Sequence, residues 1–371
     1  MSTPIIGHAR QLDYLNRVLS RAKLAHAYLF HGPEHVGKLT VAKMMAKRLL
    51  CEEQRDIPPP SLPPVADPPP AEKLRRTSHP NLPPSEKGKG VSAGFLPFSK
   101  GESENEAWGC NSCQSCRLIE NDTHPEVVLL DREHSLVSEK ESRKEIPIDD
   151  IRKLKRRFCL AAAGDTWRVA IINEAEKMNE EAANAFLKLL EEPGSHTLFI
   201  LVTAHRESIL PTIISRTIQI AFSLISQKEL EDFFSIGSLR LVQGSSFKLK
   251  KEYLLIANGR PGVLVRLIAD DVFAKEEMGF LKAMIRLMQD RTPSSLLGFC
   301  ATLVSDESRR AKALEYIVRG LRKELLGSNA SREEKSRIIQ KIKRIDRIAA
   351  LMDTTNVNTK LAMDAVMMEI V

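Results

Sequence analysis

The sequence predicts an α/β protein built on a parallel sheet, and three observations carry that expectation. The first is a short apolar run, Val169-Ala170-Ile171-Ile172, that lands on Asn173-Glu174. The second is an apolar spacing, Met178, Ala182, Ala185, Phe186, Leu189 and Leu190, that predicts a helix over 175–192, stopped by Pro193-Gly194. The third is another apolar run, Leu198 to Val202, ending on Thr203. Strand, acidic turn, helix, strand and polar tip describe the interior of a parallel sheet of the nucleotide-binding kind. Pro211 and Ile213-Ile214-Ser215-Arg216 then add a short helix with a basic tip.

Composition sets wider bounds. A chain of 371 residues has room for two or three domains, and 43% hydrophobic with 28% charged residues is ordinary for a soluble protein. No apolar run approaches the ~20 residues of a membrane span, and the N-terminus lacks a signal-peptide core, so a cytoplasmic location is expected. The net charge of +7 is compatible with a nucleic-acid neighbourhood. Aromatics at 5% argue against stacking platforms for single strands.

Taken in order, the chain opens with Ile5-Ile6-Gly7-His8 and an amphipathic stretch over 11–24. A strand-like His26-Ala27-Tyr28-Leu29-Phe30 runs into Gly32-Pro33-Glu34-His35-Val36-Gly37-Lys38, and a helix is expected over 41–50. Strand, glycine-rich turn and helix N-terminus are the setting of a phosphate-binding loop, because free backbone N–H groups and the helix dipole attract phosphate. The G-x-x-x-x-G-K spacing is intact. Leu39 stands where a Ser or Thr hydroxyl would meet Mg²⁺, and Thr40 lies about 100° further around the helix. The expected outcome is a structural turn that keeps its glycines, or an anion site at Gly32, Gly37 and Lys38 without turnover.

Cys51 closes the helix after that loop. Residues 54–106 then change character, with twelve of the twenty prolines between Pro58 and Pro97, which predicts a flexible insertion without a core of its own. Order returns at Cys110-Asn111-Ser112-Cys113-Gln114-Ser115-Cys116. Three cysteines at C-x-x-C-x-x-C spacing in a reducing compartment indicate thiolate metal ligands. Zinc wants four, and Cys51 is the natural fourth, with His124 as its rival. Four thiolates leave no open position, so such a zinc is structural. His124-Pro125 leads into the strand Val127 to Leu130, which suits His124 to shaping that turn. Cys159 and Cys300 lie in apolar helical surroundings and read as core thiols.

A helix over 147–162 carries Ile148, Ile151, Leu154 and Phe158 on one face. Beyond Phe222, helices over 227–234 and 247–257 lead to Asn258-Gly259-Arg260-Pro261-Gly262 and another short helix. From about Asp271 everything reads as helical. Ile338, Ile342, Ile345, Ala349 and Met352 form an apolar stripe beside a basic face of Lys335, Lys341, Lys343, Arg344 and Arg347, by default solvated.

The chain resembles the clamp-loader branch of the AAA+ proteins. The likeness rests on His26 to Phe30 before the Gly32–Lys38 loop, the cysteine module and His124-Pro125. It continues through Asn184-Ala185-Phe186-Leu187-Lys188-Leu189-Leu190-Glu191-Glu192-Pro193, Leu210 to Arg216, and Asn356-Val357-Asn358-Thr359-Lys360-Leu361-Ala362. The long proline-rich insertion departs from the family's short spacing at Cys51.

The resemblance implies a AAA+ domain over 1–222, a helical lid over 223–270 and an oligomerising helical collar over 271–371. It also implies a ring of partners: ATPase subunits, a clamp-opening subunit, and through them the sliding clamp and primer–template DNA, with no membrane. Active relatives carry Asp-Glu where this chain has Asn173-Glu174, a metal-binding hydroxyl at Leu39, and a lid arginine nearest Gly262. Three defects in one metal–phosphate site imply a vestigial nucleotide site of Gly32, Gly37, Lys38, Thr40, Asn173, Glu174 and Thr203, and a chain without intrinsic ATPase. Arg216 of the Ser-Arg motif would act in trans as an arginine finger on a neighbour's ATP, with Thr217 where a Cys is usual. Two other readings compete: an active AAA+ clamp-loader ATPase, and a zinc-ribbon nucleic-acid-binding protein.

Overall fold

The structure, a computed structural model, describes residues 5–20, 24–54, 108–132, 134, 136, 144–160, 166–235, 250–290, 292–327, 331–354 and 357–369. The proline-rich stretch beyond Gln54, residues 247–249 and the side chain of Cys159 lie outside the described residues.

In chain order the first part comprises α1 (Ala9–Ser20), β1 (Ala27–His31), α2 (Lys38–Leu50), α3 (Gln114–Glu120), β2 (Val127–Leu130), α4 (Ile148–Leu160), β3 (Arg168–Ile172), α5 (Glu180–Glu191), β4 (Thr197–Thr203), α6 (Pro211–Ile214) and β5 (Ile218–Ala221). The strands form one sheet in the order β2-β3-β4-β1-β5, every neighbouring pair parallel. This is the expected α/β sheet. Strands β1 to β4 read as apolar runs because the sheet is covered on both faces there, whereas the edge strand β5 is mostly exposed. Tyr28, Phe30, Val169, Ile171, Leu198 and Ile200 pack one way with Leu12, Leu15, Val41 and Met45 of α1 and α2. The alternate residues Leu29, Ala170, Ile172, Phe199 and Leu201 pack the other way with Leu154, Phe158, Phe186 and Leu190 of α4 and α5. The period of two along each strand thus sorts the core into two layers.

One expected element is divided. The helix predicted over 175–192 is a 3₁₀ turn, Ala175–Lys177, followed by α5 from Glu180. Glu174 enters the turn in the left-handed region, φ 52°, and Met178 leaves it extended. Asn179 then caps α5, its side chain accepting from the Ala182 N–H at 2.8 Å. Ile146 bridges to Met178 through its backbone, which fills the gap with sheet-like pairing.

Helices α7 (Gln227–Ser235), α8 (Lys251–Ala257), α9 (Pro261–Ala269), α10 (Asp271–Asp290), α11 (Pro293–Leu303), α12 (Glu307–Gly327), α13 (Arg332–Thr354) and α14 (Thr359–Met368) complete the chain. It divides into two compact units, one of Met1–Leu249 with Ala257–Val265, the other of Lys250–Ile256 with Arg266–Val371. The second unit is helical throughout its described residues and has its own core, including Met284, Leu296, Cys300, Ile317, Ile345 and Met363. Cys300 is a core thiol, as expected. Ile338, Ile342 and Met352 of the expected stripe pack against that core, whereas Lys335, Lys343, Arg344 and Arg347 are exposed. Among the described residues no helix is long and apolar enough to cross a membrane.

Candidate nucleotide cleft, cysteine cluster and exposed arginine

The carboxyl ends of β1, β3 and β4 converge where the glycine-rich loop joins α2, the place where parallel sheets bind ligands. Gly32 has φ 137°, and a Cβ there would lie 2.0 Å from the Phe222 carbonyl oxygen, so only glycine fits. Gly37, φ 105°, is the N-cap of α2. The intervening loop is bound by its own chain. Lys38 Nζ donates to the Gly32 and Pro33 carbonyls at 2.6 and 2.5 Å. His8 Nε2 lies 3.0 Å from the Val36 carbonyl, and the Gly262 N–H at the start of α9 donates to the His35 carbonyl at 2.9 Å. Burial holds the Lys38 ammonium down at about 8, against the opposing charges of Glu34 and Glu176.

The metal side of this cleft is poorly equipped. Leu39 packs against the core layer of α1 and α2, so an apolar side chain stands where a hydroxyl would be needed. Asn173 carries no charge. Glu174 is gripped by both arms of Arg132, whose Nη2 lies 2.7 Å from Oε1 and whose Nε bonds Oε2. Thr203 is buried and its hydroxyl accepts from the His205 N–H at 3.1 Å, shaping the turn after β4. Thr40 sits one residue along α2, half-buried.

Two residues at this cleft escape a reading of the sequence. Arg132 is one. The other is Glu176, whose Oε1 meets the Ala204 N–H at a long 3.5 Å while its Oε2 is buried with no hydrogen-bond partner among the described residues. Nothing in the spacing marks either, because Arg132 pairs across 42 residues and Glu176 sits in the turn that reads as helix.

The cysteine cluster lies at the other end of α2. Cys51 is the C-cap of that helix, and its Sγ with those of Cys110, Cys113 and Cys116 all lie within 4.8 Å of one another. The four sulfurs could hold a metal ion. Backbone amides donate to three of the sulfurs: Cys110 N–H to Cys51 Sγ at 3.3 Å, Cys113 N–H to Cys110 Sγ at 3.2 Å and Cys116 N–H to Cys113 Sγ at 3.4 Å. His124 is not in this group; its Nδ1 accepts from the Glu126 N–H at 3.1 Å, shaping the turn into β2. Two lysines one turn apart on α2 fasten the module. Lys43 pairs with Asp122 at 2.7 Å, and the buried Lys47 binds Glu120 and Asn111, the latter at 2.9 Å.

Lys47 is 4% exposed at its side chain and Glu120 36%, so the two partners are not equivalent. Glu120→Ala strands a buried ammonium on Asn111 alone, and its cost should approach the ~3–5 kcal/mol of a broken buried pair. Lys47→Met leaves only a half-exposed carboxylate and should cost less. Denaturant unfolding of both variants checks that order; equal costs would place the pair's strength elsewhere.

Arg216 follows α6 and is 39% exposed at its side chain. Its Nη1 donates to the Thr212 carbonyl at 3.1 Å and its Nη2 to Glu191 Oε1 at 3.0 Å. Its hydrogen bonds thus run to α6 and α5, at the corner before β5.

Against this geometry, the profile of the family described as "DNA polymerase III, delta subunit" matches residues 7–91 and 92–226. The chain belongs to that family. Its two matched stretches meet inside the proline-rich segment. Among its relatives, the DNA polymerase III subunit delta' of Pseudomonas aeruginosa is 28% identical over 247 residues, covering 67% of this chain and 57% of that protein. The subunit delta' of Bacillus subtilis is 24% identical over 273 residues, covering 74% of this chain and 63% of that one. The subunit tau of Bacillus subtilis is 27% identical over 226 residues, covering 61% of this chain and 30% of the relative. The aligned chain thus spans less than two thirds of each relative's length. The family match spans every strand of the sheet, from β1 to β5.

Proposed function

We propose that this chain is a non-catalytic, delta'-type subunit of a DNA polymerase III clamp loader, which helps load a sliding clamp onto primed DNA and supplies Arg216 to a neighbouring ATPase subunit. The observation that carries the reading is the contrast between the two halves of a hydrolytic site. The cis half lacks its metal ligands, with Leu39 packed against the core, Asn173 uncharged and Glu174 tied to Arg132. The trans half, Arg216, is intact and accessible. Phosphoryl transfer relies on metal and positive charge placed around the phosphate, so a chain lacking the first can still contribute the second to a partner.

In this reading 1–222 is the AAA+ module, 223–270 the lid, and 271–371 the collar that joins the ring of ATPase and clamp-opening subunits. The clamp and the primer–template DNA are met through the complex, in the cytoplasm. Cys51, Cys110, Cys113 and Cys116 would hold a structural zinc: the donor set is the one zinc favours, and four thiolates leave no reactive position. Gly32, Gly37, Lys38 and the N-terminus of α2 retain the means to hold phosphate weakly, once Lys38 exchanges its two loop carbonyls for an anion.

Two measurements test this. The purified chain should hydrolyse ATP no faster than background; turnover of about 1 s⁻¹ that disappears in Lys38→Ala would instead favour an active ATPase. Tagged chain should co-purify with the other clamp-loader subunits, and a chain that binds DNA alone with steep salt dependence but captures none of them would contradict the reading.

A further inference from the structure

Helix α5 breaks a local rule at one end only. Its first turn carries Glu180 and Glu181, where the positive end of the helix dipole favours carboxylates. Its last turn carries Lys188, as the dipole favours, but ends on Glu191 with Glu192 as the C-cap, where the dipole disfavours carboxylates. An acidic pair at the wrong end of a helix, with no packing role since both are exposed, calls for a compensating interaction. Arg216 provides it for Glu191, across 25 residues of sequence.

The geometry of that contact says more than charge balance. The guanidinium is held at two points on different elements: Nη1 by the Thr212 carbonyl of α6, Nη2 by Glu191 of α5. Among the described residues two of its five N–H donors are engaged, by Thr212 and Glu191. A free arginine side chain carries substantial rotamer entropy, much of which is lost when it must meet a phosphate in one orientation. Pinning it beforehand removes part of that cost at the moment of reaction.

We propose that Glu191 is a positioning residue for Arg216: it fixes the guanidinium at the corner before β5 so that the remaining donors face an anion presented by another subunit. This deepens the reading of Arg216 as a trans-acting finger and rests on it. Glu191 touches no nucleotide in this scheme and acts only through the arginine.

The test uses the full clamp-loader complex reconstituted with variants of this chain and reads DNA-stimulated ATPase. Glu191→Ala should lower kcat at the served site about two- to five-fold, the range of a partly exposed ion pair, with KM unchanged. Glu191→Gln, whose amide oxygen can accept the same N–H, should retain most of the rate. Glu192→Gln, at the same helix end but without the arginine, should match wild type. In an Arg216→Ala background, Glu191→Ala should have no further effect. If Arg216→Ala lowers the rate and Glu191→Ala does not, or raises it, the positioning role is overturned while the finger stands. If Glu191→Ala lowers the rate equally in both backgrounds, it acts by another route and the proposal fails. If Arg216→Ala itself changes nothing, the finger reading has failed first.

Discussion

Replacing Arg216 with alanine is expected to leave the chain folded and able to assemble, yet to cripple hydrolysis at the one neighbouring site it serves. The fold should tolerate the change because Arg216 is half-exposed and its ion pair with Glu191 is a surface pair. Such pairs contribute about 0–1 kcal/mol. The catalytic effect should be far larger. Arginine fingers supplied in trans are worth ~10³–10⁵ in rate in well-studied phosphoryl-transfer systems, because the guanidinium neutralises charge that develops on the transferring phosphate. Total turnover of the complex will fall less, as other sites carry on. Arg216→Lys should rescue poorly, since an ammonium lacks the planar fork that matches phosphate oxygens. Clamp loading by a reconstituted complex is the sharper readout: loading at the wild-type rate with the alanine variant would leave Arg216 only a structural role.

Loss of the proposed zinc is expected to have the largest effect on stability. A closed zinc site contributes directly to folding, with apparent binding free energies of about 10–16 kcal/mol in zinc-finger peptides, so even a fraction of that exceeds any surface contact here. Cys51 ties the site to α2, whose other end is the phosphate loop. Cys113→Ser should therefore release metal, loosen α3 and the last turn of α2, and leave the helical second unit with its own core intact. Metal analysis should find one zinc per wild-type chain. Hydrogen exchange with and without chelator should show the change confined to the first unit. If Cys51→Ser keeps its zinc and its stability, the ligand set is wrong; Cys51 is the informative position because 58 residues lie between it and Cys110.

The sheet was legible in the sequence because parallel strands buried on both faces leave unbroken apolar runs, and four of the five announce themselves at 27–31, 127–130, 168–172 and 197–203. The cysteine cluster was legible for a different reason: metal chemistry demands a ligand count, which points to Cys51 across the proline-rich stretch. What stayed hidden depends on pairings that no spacing rule encodes. The 3₁₀ turn at Ala175–Lys177 reads as helix because Met178 and Ala182 continue the apolar period, and only the Asn179 cap interrupts it. Arg132 on Glu174, Gly262 on the His35 carbonyl and Glu191 on Arg216 each join residues from separate elements. They are products of the fold, not of local preference.

The most direct test of the central claim compares two substitutions in this chain within one reconstituted complex. Lys38→Ala removes the phosphate-loop cation of its own cleft, and Arg216→Ala removes the cation offered to a neighbour. With assembly verified for both, DNA-stimulated ATPase and clamp loading should be unchanged by Lys38→Ala and sharply reduced by Arg216→Ala. The reverse pattern, a loss with Lys38→Ala and none with Arg216→Ala, would mean that this chain turns over its own nucleotide, and would contradict the account.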